Sequence, residues 1–419
     1  MHALPFKCLR PAPDKAVSFA APPYDVFDRA QAKAYVKDHP DSFLAIDCPD
    51  TAFPDGHDMY ADDVYAKARE LYLDCVQNGT LIADNATCYY IYQLIQNGHQ
   101  QTGIVAACAV DDYLDGTIKR HESTRPEKEQ DRIRHIEALD AQTGPVFLAY
   151  RDEPVLDVIL KGAMSGQPLY DFTDDEGVRQ IVWRVARKDA TDAIEAMLER
   201  VPNAYIADGH HRAASAIKVS QHKREQHPNA SPNAPYNYFL AVLFPSNQLN
   251  ILPYDRVVKD TNGLSTKEFL SKANAAGFAT VSGPSSELAS PAQRHDFGVY
   301  VSGSWYTLRY QPTEAEEHDP VKRLDCSILQ DRLLGPILGI RNAREDPRIS
   351  FVGGIEGTKA LASAAGENGI AFSMFPTSMD EVMAAADAGK LMPPKSTWFE
   401  PKLRSGLFIR PLGAVSTKH

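Results

Sequence analysis

Ala204-Tyr205-Ile206-Ala207-Asp208-Gly209-His210-His211-Arg212 reads as a short apolar strand that runs through a single glycine into an alanine-rich helix. Upstream of it the pattern alternates. Helical spacing near Val155 to Met164 is followed by a strand near Arg179 to Val185, a helix near Thr191 to Arg200, this strand over Ala204 to Ala207, and a helix from about His211. Such alternation predicts an α/β (α+β) fold with mixed sheets and flanking helices, not a sandwich or a bundle.

Working outward toward the N-terminus, Val146 to Tyr150 is a further strand. Before it comes a helix with Pro126 in its first turn and Ile133, Ile136 and Leu139 on one face, ending near Gly144. The β-rich runs Cys88 to Ile95 and Gly103 to Val110 flank Asn97-Gly98, a strong hairpin signal. From Asp58 to Gln77 apolar residues recur at helical spacing, and Gly79 supplies the stop. The opening segment, with Pro5, Pro11, Pro13 and Pro22-Pro23 before Tyr24-Asp25-Val26, predicts extended chain.

Toward the C-terminus, the Asn-, Pro- and Ser-rich stretch from His227 to Pro235 is the clearest break. It sets an expected division into an α/β domain over 1–244 carrying the phosphate or nucleotide site and a C-terminal α/β domain over 245–419. A hairpin of Tyr238 to Phe244 with Leu249 to Val258 is expected there. Strands near Phe297 to Val301, Tyr306 to Tyr310 and Ile370 to Phe375 follow, with helices near Cys326 to Leu338 and Met379 to Ala388. There is no internal repeat.

Composition bounds the function. At 419 residues the chain is long for one core, and 43% hydrophobic with 24% charged residues is an ordinary folded composition. A net charge of -11 repels phosphate backbones and anionic lipid on average, so nucleic acid and membrane are not expected partners. No run approaches the roughly 18 apolar residues of a membrane span. The six cysteines include no Cys-x-x-Cys pair, so reduced thiols in a cytoplasmic setting are expected.

Three segments carry candidate chemistry. In the first, a helix N-terminus presents free amide N–H groups to an anion, Gly209 lets the backbone approach it, Arg212 offers a two-pronged donor, and His210 and His211 offer donors or metal ligands. The plainer reading has Asp208 capping the helix with both histidines facing solvent. The second is Arg120-His121-Glu122-Ser123-Thr124-Arg125, in which Glu122 suits a general base or metal ligand and His121, Arg120 and Arg125 suit a transferring phosphoryl group. Its plainer reading is a solvated connection with Thr124 as a cap. The third is Met392-Pro393-Pro394-Lys395-Ser396-Thr397, where Lys395, Ser396 and Thr397 offer a phosphate contact but lack the preceding glycines of a P-loop. Tyr254-Asp255-Arg256, Gly353-Gly354 and Asp25 are lesser candidates.

These three segments, together with Pro22-Pro23-Tyr24-Asp25-Val26 and Phe399-Glu400-Pro401-Lys402 with Gly406-Leu407, resemble the bacterial and archaeal family called domain of unknown function 1015. The family commonly has a histidine before the arginine where this chain has Asp255-Arg256, so no role of that histidine carries over. A strand followed by Asp-Gly-x-His-Arg is also similar to the phosphate-binding turn of the ParB and sulfiredoxin superfamily, which includes free-serine kinases using ADP or ATP. Gly209, His211 and Arg212 match that turn, and Asp208 matches the aspartate of the serine kinases.

The resemblance implies a ParB/sulfiredoxin-like phosphate-binding element plus a C-terminal α/β lobe. It also implies a small-molecule kinase that transfers a phosphoryl group from ATP or ADP, with Mg²⁺, to a hydroxyl compound such as serine. In that reading Asp208 to Arg212 hold phosphates, Glu122 accepts the proton, and His121, Arg120 and Lys395 stabilise charge. Two alternatives stand beside it: a metal-dependent hydrolase in which Asp208, His210 or His211, His121 and Glu122 gather a transition metal, and a non-catalytic nucleotide-binding switch.

Overall fold

The computed structural model describes residues 1–287, 290–353 and 357–413. Gly354, the second glycine of the Gly353-Gly354 candidate, lies outside them. The chain divides into two compact units. The first holds Met1–Lys119, Thr124–Leu249 and the chain from Pro401 on; the second holds Arg120–Ser123 and Asn250–Glu400. The chain therefore leaves the first unit twice, briefly at Arg120–Ser123 and again after Leu249, and returns to it at Thr124 and at Pro401.

That return is made by long-range pairing, which leaves no local trace in sequence. Arg410–Pro411 pairs with Ala141–Gln142, and Ile409 bridges Leu9. Phe408 packs its ring against Tyr90 and Tyr92, at centroid distances of 5.5 and 5.4 Å, so the terminal segment covers one face of the central hairpin.

In the first unit the described residues form a mixed sheet of nine strands. Across it run Ile118–Lys119, Ala204–Asp208, Val146–Tyr150, Tyr238–Pro245, His99–Ala109, Tyr89–Gln96, Arg179–Val185 and Tyr170–Thr173, with Ala3–Leu4 added beside His99–Ala109. The Asn97-Gly98 hairpin forms as expected. Both turn residues have positive φ, 51° and 80°, the geometry that twists with its flanking strands. The helices Pro126–Leu139 and His210–Gln226 pack together, and Ala213, Ala216, Ile217 and Val219 of the latter enter the core.

The expected hairpin around 245 does not form. Tyr238–Pro245 pairs with His99–Ala109 and Val146–Tyr150, whereas Tyr254–Val258 pairs with Ile349–Gly353 and Ile370–Ser373. No tight-turn dipeptide joins the two strands; the connection begins with a 3₁₀ turn over Ser246–Gln248. In the second unit Phe278–Ser285, Ser304–Tyr310, Asp296–Val301, Ile370–Ser373, Tyr254–Val258 and Ile349–Gly353 form an antiparallel sheet in that order. The helix expected over Cys326 to Leu338 is shorter, Asp325–Leu329, and widens into a π turn over Gln330–Leu334 that Gly335 N–H closes onto Gln330 O at 2.9 Å. Among the described residues no helix is long and apolar enough to cross a membrane.

One glycine sets how closely two central strands pack. A Cβ on Gly103 would lie 2.7 Å from Phe244 Cε1 and 2.8 Å from Val242 Cγ1. Both neighbours are fully buried, so the added methyl has nowhere to go. Gly103→Ala is expected to cost about 1–3 kcal/mol through overpacking, read as a lower denaturation midpoint. An unchanged midpoint would mean that the Phe244 ring swings aside freely.

Candidate functional site

The strand Ala204–Asp208 delivers its last carboxylate to the N-terminus of the helix His210–Gln226. Gly209 is the N-cap residue at φ 87°, and a Cβ there would sit 3.0 Å from Arg212 Nε. Glycine is required twice over: by the left-handed backbone, and because the guanidinium folds back across it.

Arg212 is buried and donates from Nη1 to Pro145 O at 2.6 Å. Its Nη2 lies 3.4 Å from Asp208 Oδ2 and 3.6 Å from Asp25 Oδ2. Lys402 Nζ approaches the same Asp208 oxygen at 3.3 Å. Burial alone would raise the Asp208 pKa, but the charges of Lys402 and Arg212 outweigh it and hold this carboxyl well below the usual range. The arginine expected to meet a phosphate is thus committed to two carboxylates and a carbonyl of its own unit.

The neighbouring histidines differ. His211 Nε2 accepts the Arg125 N–H at 3.0 Å, a role that needs a neutral ring, and burial pushes its pKa down. His210 is buried, not solvent-facing. Thr124 does not cap the following helix, whose N-cap is Arg125; its hydroxyl donates to Glu129 instead.

Against Arg212 lies a cavity of about 30 Å³ lined by Asp47, Arg132, His135, Thr143 and Tyr24. That is the volume of a water molecule, not of a phosphate-bearing ligand. His135 Nε2 donates to Ile46 O at 2.8 Å; burial, with the Arg132 charge, pushes its pKa down to about 4.

The second unit holds Arg120–Ser123 of the second segment and the whole third segment, which gives Met392, Pro393 and Pro394 to the wall of a cavity. This cavity, about 300 Å³, is lined by Arg256, Arg341, Arg344, Cys326, Met392 and Pro393. Arg256, on the strand Tyr254–Val258, is buried and donates to the carbonyls of Tyr254 and Lys395, the latter at 3.1 Å. Burial pushes its pKa down, with partial compensation from Cys326 and Asp255. Asp255 itself accepts the Met374 N–H, and burial pushes its pKa up to about 6.

Arg344 reaches Ser123 O at 3.4 Å and Glu122 Oε1 at 4.0 Å, while Met392 N–H donates to His121 O at 2.8 Å. The segment Arg120–Ser123 is thereby stitched to the wall of this cavity, with Arg120 exposed. Lys395 has a left-handed backbone (φ 58°) and places Nζ 5.3 Å from the Tyr254 ring centroid. Ser396 spends its hydroxyl on Pro393 O at 2.6 Å, 3.1 Å from Cys326 Sγ, and its carbonyl accepts from Thr377. Thr397 follows, half-buried. Sequence reasoning missed Arg341 and Arg344; their i, i+3 spacing just after Gly339 was the available signal.

Two outcomes follow for the first unit. Arg212→Met removes the cation from two carboxylates and should destabilise by about 3–5 kcal/mol in chemical denaturation with no ligand present; a loss under 1 kcal/mol would show the cluster to be solvent-compensated. The unfolded His135 takes a proton below about 6.5, but the native ring takes one only near 4. Stability should therefore fall by roughly 3 kcal/mol as pH drops through that window, and His135→Gln should flatten the profile.

No curated protein matches the chain. Among solved structures, SbnI with a C-terminal truncation from Staphylococcus aureus is similar at a TM-score of 0.39 and 11% identity, over 74% of this chain and 87% of that one. A free serine kinase mutant in complex with ADP is similar at 0.33 and 14%, over 71% and 87%. A conserved hypothetical protein from Pyrococcus furiosus is similar at 0.31 and 14%, over 74% and 95%. The family model described as protein of unknown function (DUF1015) matches residues 3–327, and the chain belongs to that family.

Proposed function

We propose that the protein binds a nucleotide or other phosphorylated small molecule at the arginine-lined cavity of the second unit and transfers a phosphoryl group to a small hydroxyl compound such as serine. The observation that carries this reading is the cavity's charge. Arg256, Arg341 and Arg344 line about 300 Å³, and among the described residues neither Arg256 nor Arg341 has a carboxylate within ion-pair distance. Arg256 is the buried member, and a buried guanidinium without a carboxylate is costly unless an anion enters; the planar forks of all three match phosphate oxygens.

Glu122, held 4.0 Å from Arg344, is the carboxylate at the edge of this cluster. It would take the proton of the acceptor hydroxyl as that oxygen bonds to the terminal phosphorus of ATP or ADP and the bond to the bridging oxygen breaks. The charge left on the departing phosphate would fall to the arginines, with Lys395 beside them. Mg²⁺ fits as an ion carried on the donor's own phosphates, where it would neutralise their charge, because such sites need few protein carboxylates. Asp208 suits it less, being already bracketed by Lys402 and Arg212.

The test is calorimetric titration of the full chain with ATP and ADP, each with Mg²⁺, alongside turnover with serine. Arg341 is exposed, so Arg341→Ala should leave the fold intact and weaken nucleotide at least tenfold, about 1.4 kcal/mol. Glu122→Gln should keep nucleotide affinity within about threefold and lose transfer. Absence of nucleotide binding, or affinity unmoved by Arg341→Ala, would sink the reading. A stoichiometric transition metal retained through purification would turn it toward the hydrolase.

A further inference from the structure

The first unit contains a larger cavity, about 570 Å³, that the proposed reaction does not use. Its volume falls within the range that holds small-molecule ligands, about 300–1,000 Å³. Leu4, Phe6, Leu9, Ala107, Pro235 and Pro411 give it an apolar wall.

Into this wall is set Arg410, only 5% exposed. Its Nη2 donates to Pro235 O at 2.6 Å and its Nη1 to Tyr238 O at 3.0 Å, with Gln142 Oε1 at 3.5 Å. All three are neutral acceptors. The Nε–H, fully buried, has no partner. Among the described residues no carboxylate lies within ion-pair distance of this guanidinium, and burial pushes its pKa down to about 10.

The acid that lines the cavity, Asp84, does not serve it. Asp84 is engaged by Arg10 at 3.0 Å, by Arg184 at 3.7 Å and by the Tyr90 hydroxyl. A buried guanidinium held by neutral acceptors, with N–H donors unspent and no counter-charge, lacks an anion.

We propose that this cavity binds a small organic carboxylate with an apolar body, its negative charge set against the Arg410 guanidinium. A carboxylate fits better than a phosphate because its single charge matches the one buried guanidinium, whereas a dianion would leave a charge uncompensated among apolar residues. Lys7, exposed among the lining residues, would add a second, solvent-screened charge. The apolar wall would bury the rest of the molecule.

Benzoate is the probe, with benzamide as its uncharged counterpart and phenyl phosphate as the dianionic one, each titrated calorimetrically into the full chain. Benzoate should bind at least tenfold more tightly than benzamide. Arg410→Gln should lower benzoate affinity at least tenfold. If that variant fails to fold, Thr87→Trp supplies the test: Thr87 is exposed and lines the cavity, so the new ring should obstruct it without touching Arg410. Arg341→Ala should leave benzoate unaffected, which separates this site from the nucleotide cavity. No heat from benzoate at 10 mM, or benzoate affinity unmoved by Thr87→Trp, would overturn the proposal. Phenyl phosphate binding tenfold more tightly than benzoate would overturn the assignment of a carboxylate.

Discussion

A guanidinium removed from water must be given oxygens, and how Arg212 is supplied with them fixes much of the first unit. Its partners come from distant parts of the chain: Asp25 from the proline-rich start, Pro145 from the loop before a central strand, and Asp208 from the strand that precedes its own helix. Lys402, near the C-terminus, closes the cluster on Asp208. Two cations and two carboxylates balance, so each group can keep its charge out of bulk water. Gly209 permits the arrangement, since any side chain there would displace the guanidinium.

Other buried arginines follow the same rule. Arg10 is matched by Asp84, Arg132 by Asp131, and Arg404 by Asp174 and Glu176. Arg256 and Arg410 break it. Each is at least as buried as those others on average, yet each is anchored by backbone carbonyls. Carbonyl dipoles orient a guanidinium but do not cancel its charge. Removing that charge from water costs several kcal/mol unless an anion supplies the compensation. Matched arginines are explained by the fold alone; unmatched ones lining cavities need something further, and this separates framework from candidate site more sharply than motif spacing does.

That distinction also marks what could be read from sequence. The Asn97-Gly98 hairpin, the strand Arg179–Val185 and the strand-glycine-helix joint at Gly209 were legible because each is set by local backbone chemistry. Of the segments around Glu122 and Lys395, Met392 and Pro393 line the cavity, while Ser123 and Glu122 meet Arg344 on its wall. The commitment of Arg212 was not legible, because its counter-charges stand 4 and 187 positions away and nothing in the spacing selects Asp25. The hairpin expected across residue 245 failed for a related reason: adjacent β-rich runs say nothing about which strands they pair with. Arg410 carried no signal at all, since its chemistry arises from what is missing around it.

The overall charge sharpens the meaning of the cationic cavity. A net charge of -11 repels an extended polyanion on average, and the arginines line a cavity of about 300 Å³. A small anion meets a different field. Once within a Debye length, roughly 8 Å at physiological salt, it senses the local guanidinium groups more than the distant carboxylates. In the proposed reading, a cationic recess in a chain of net charge -11 would select by size as well as by sign, favouring compact phosphorylated molecules over long ones.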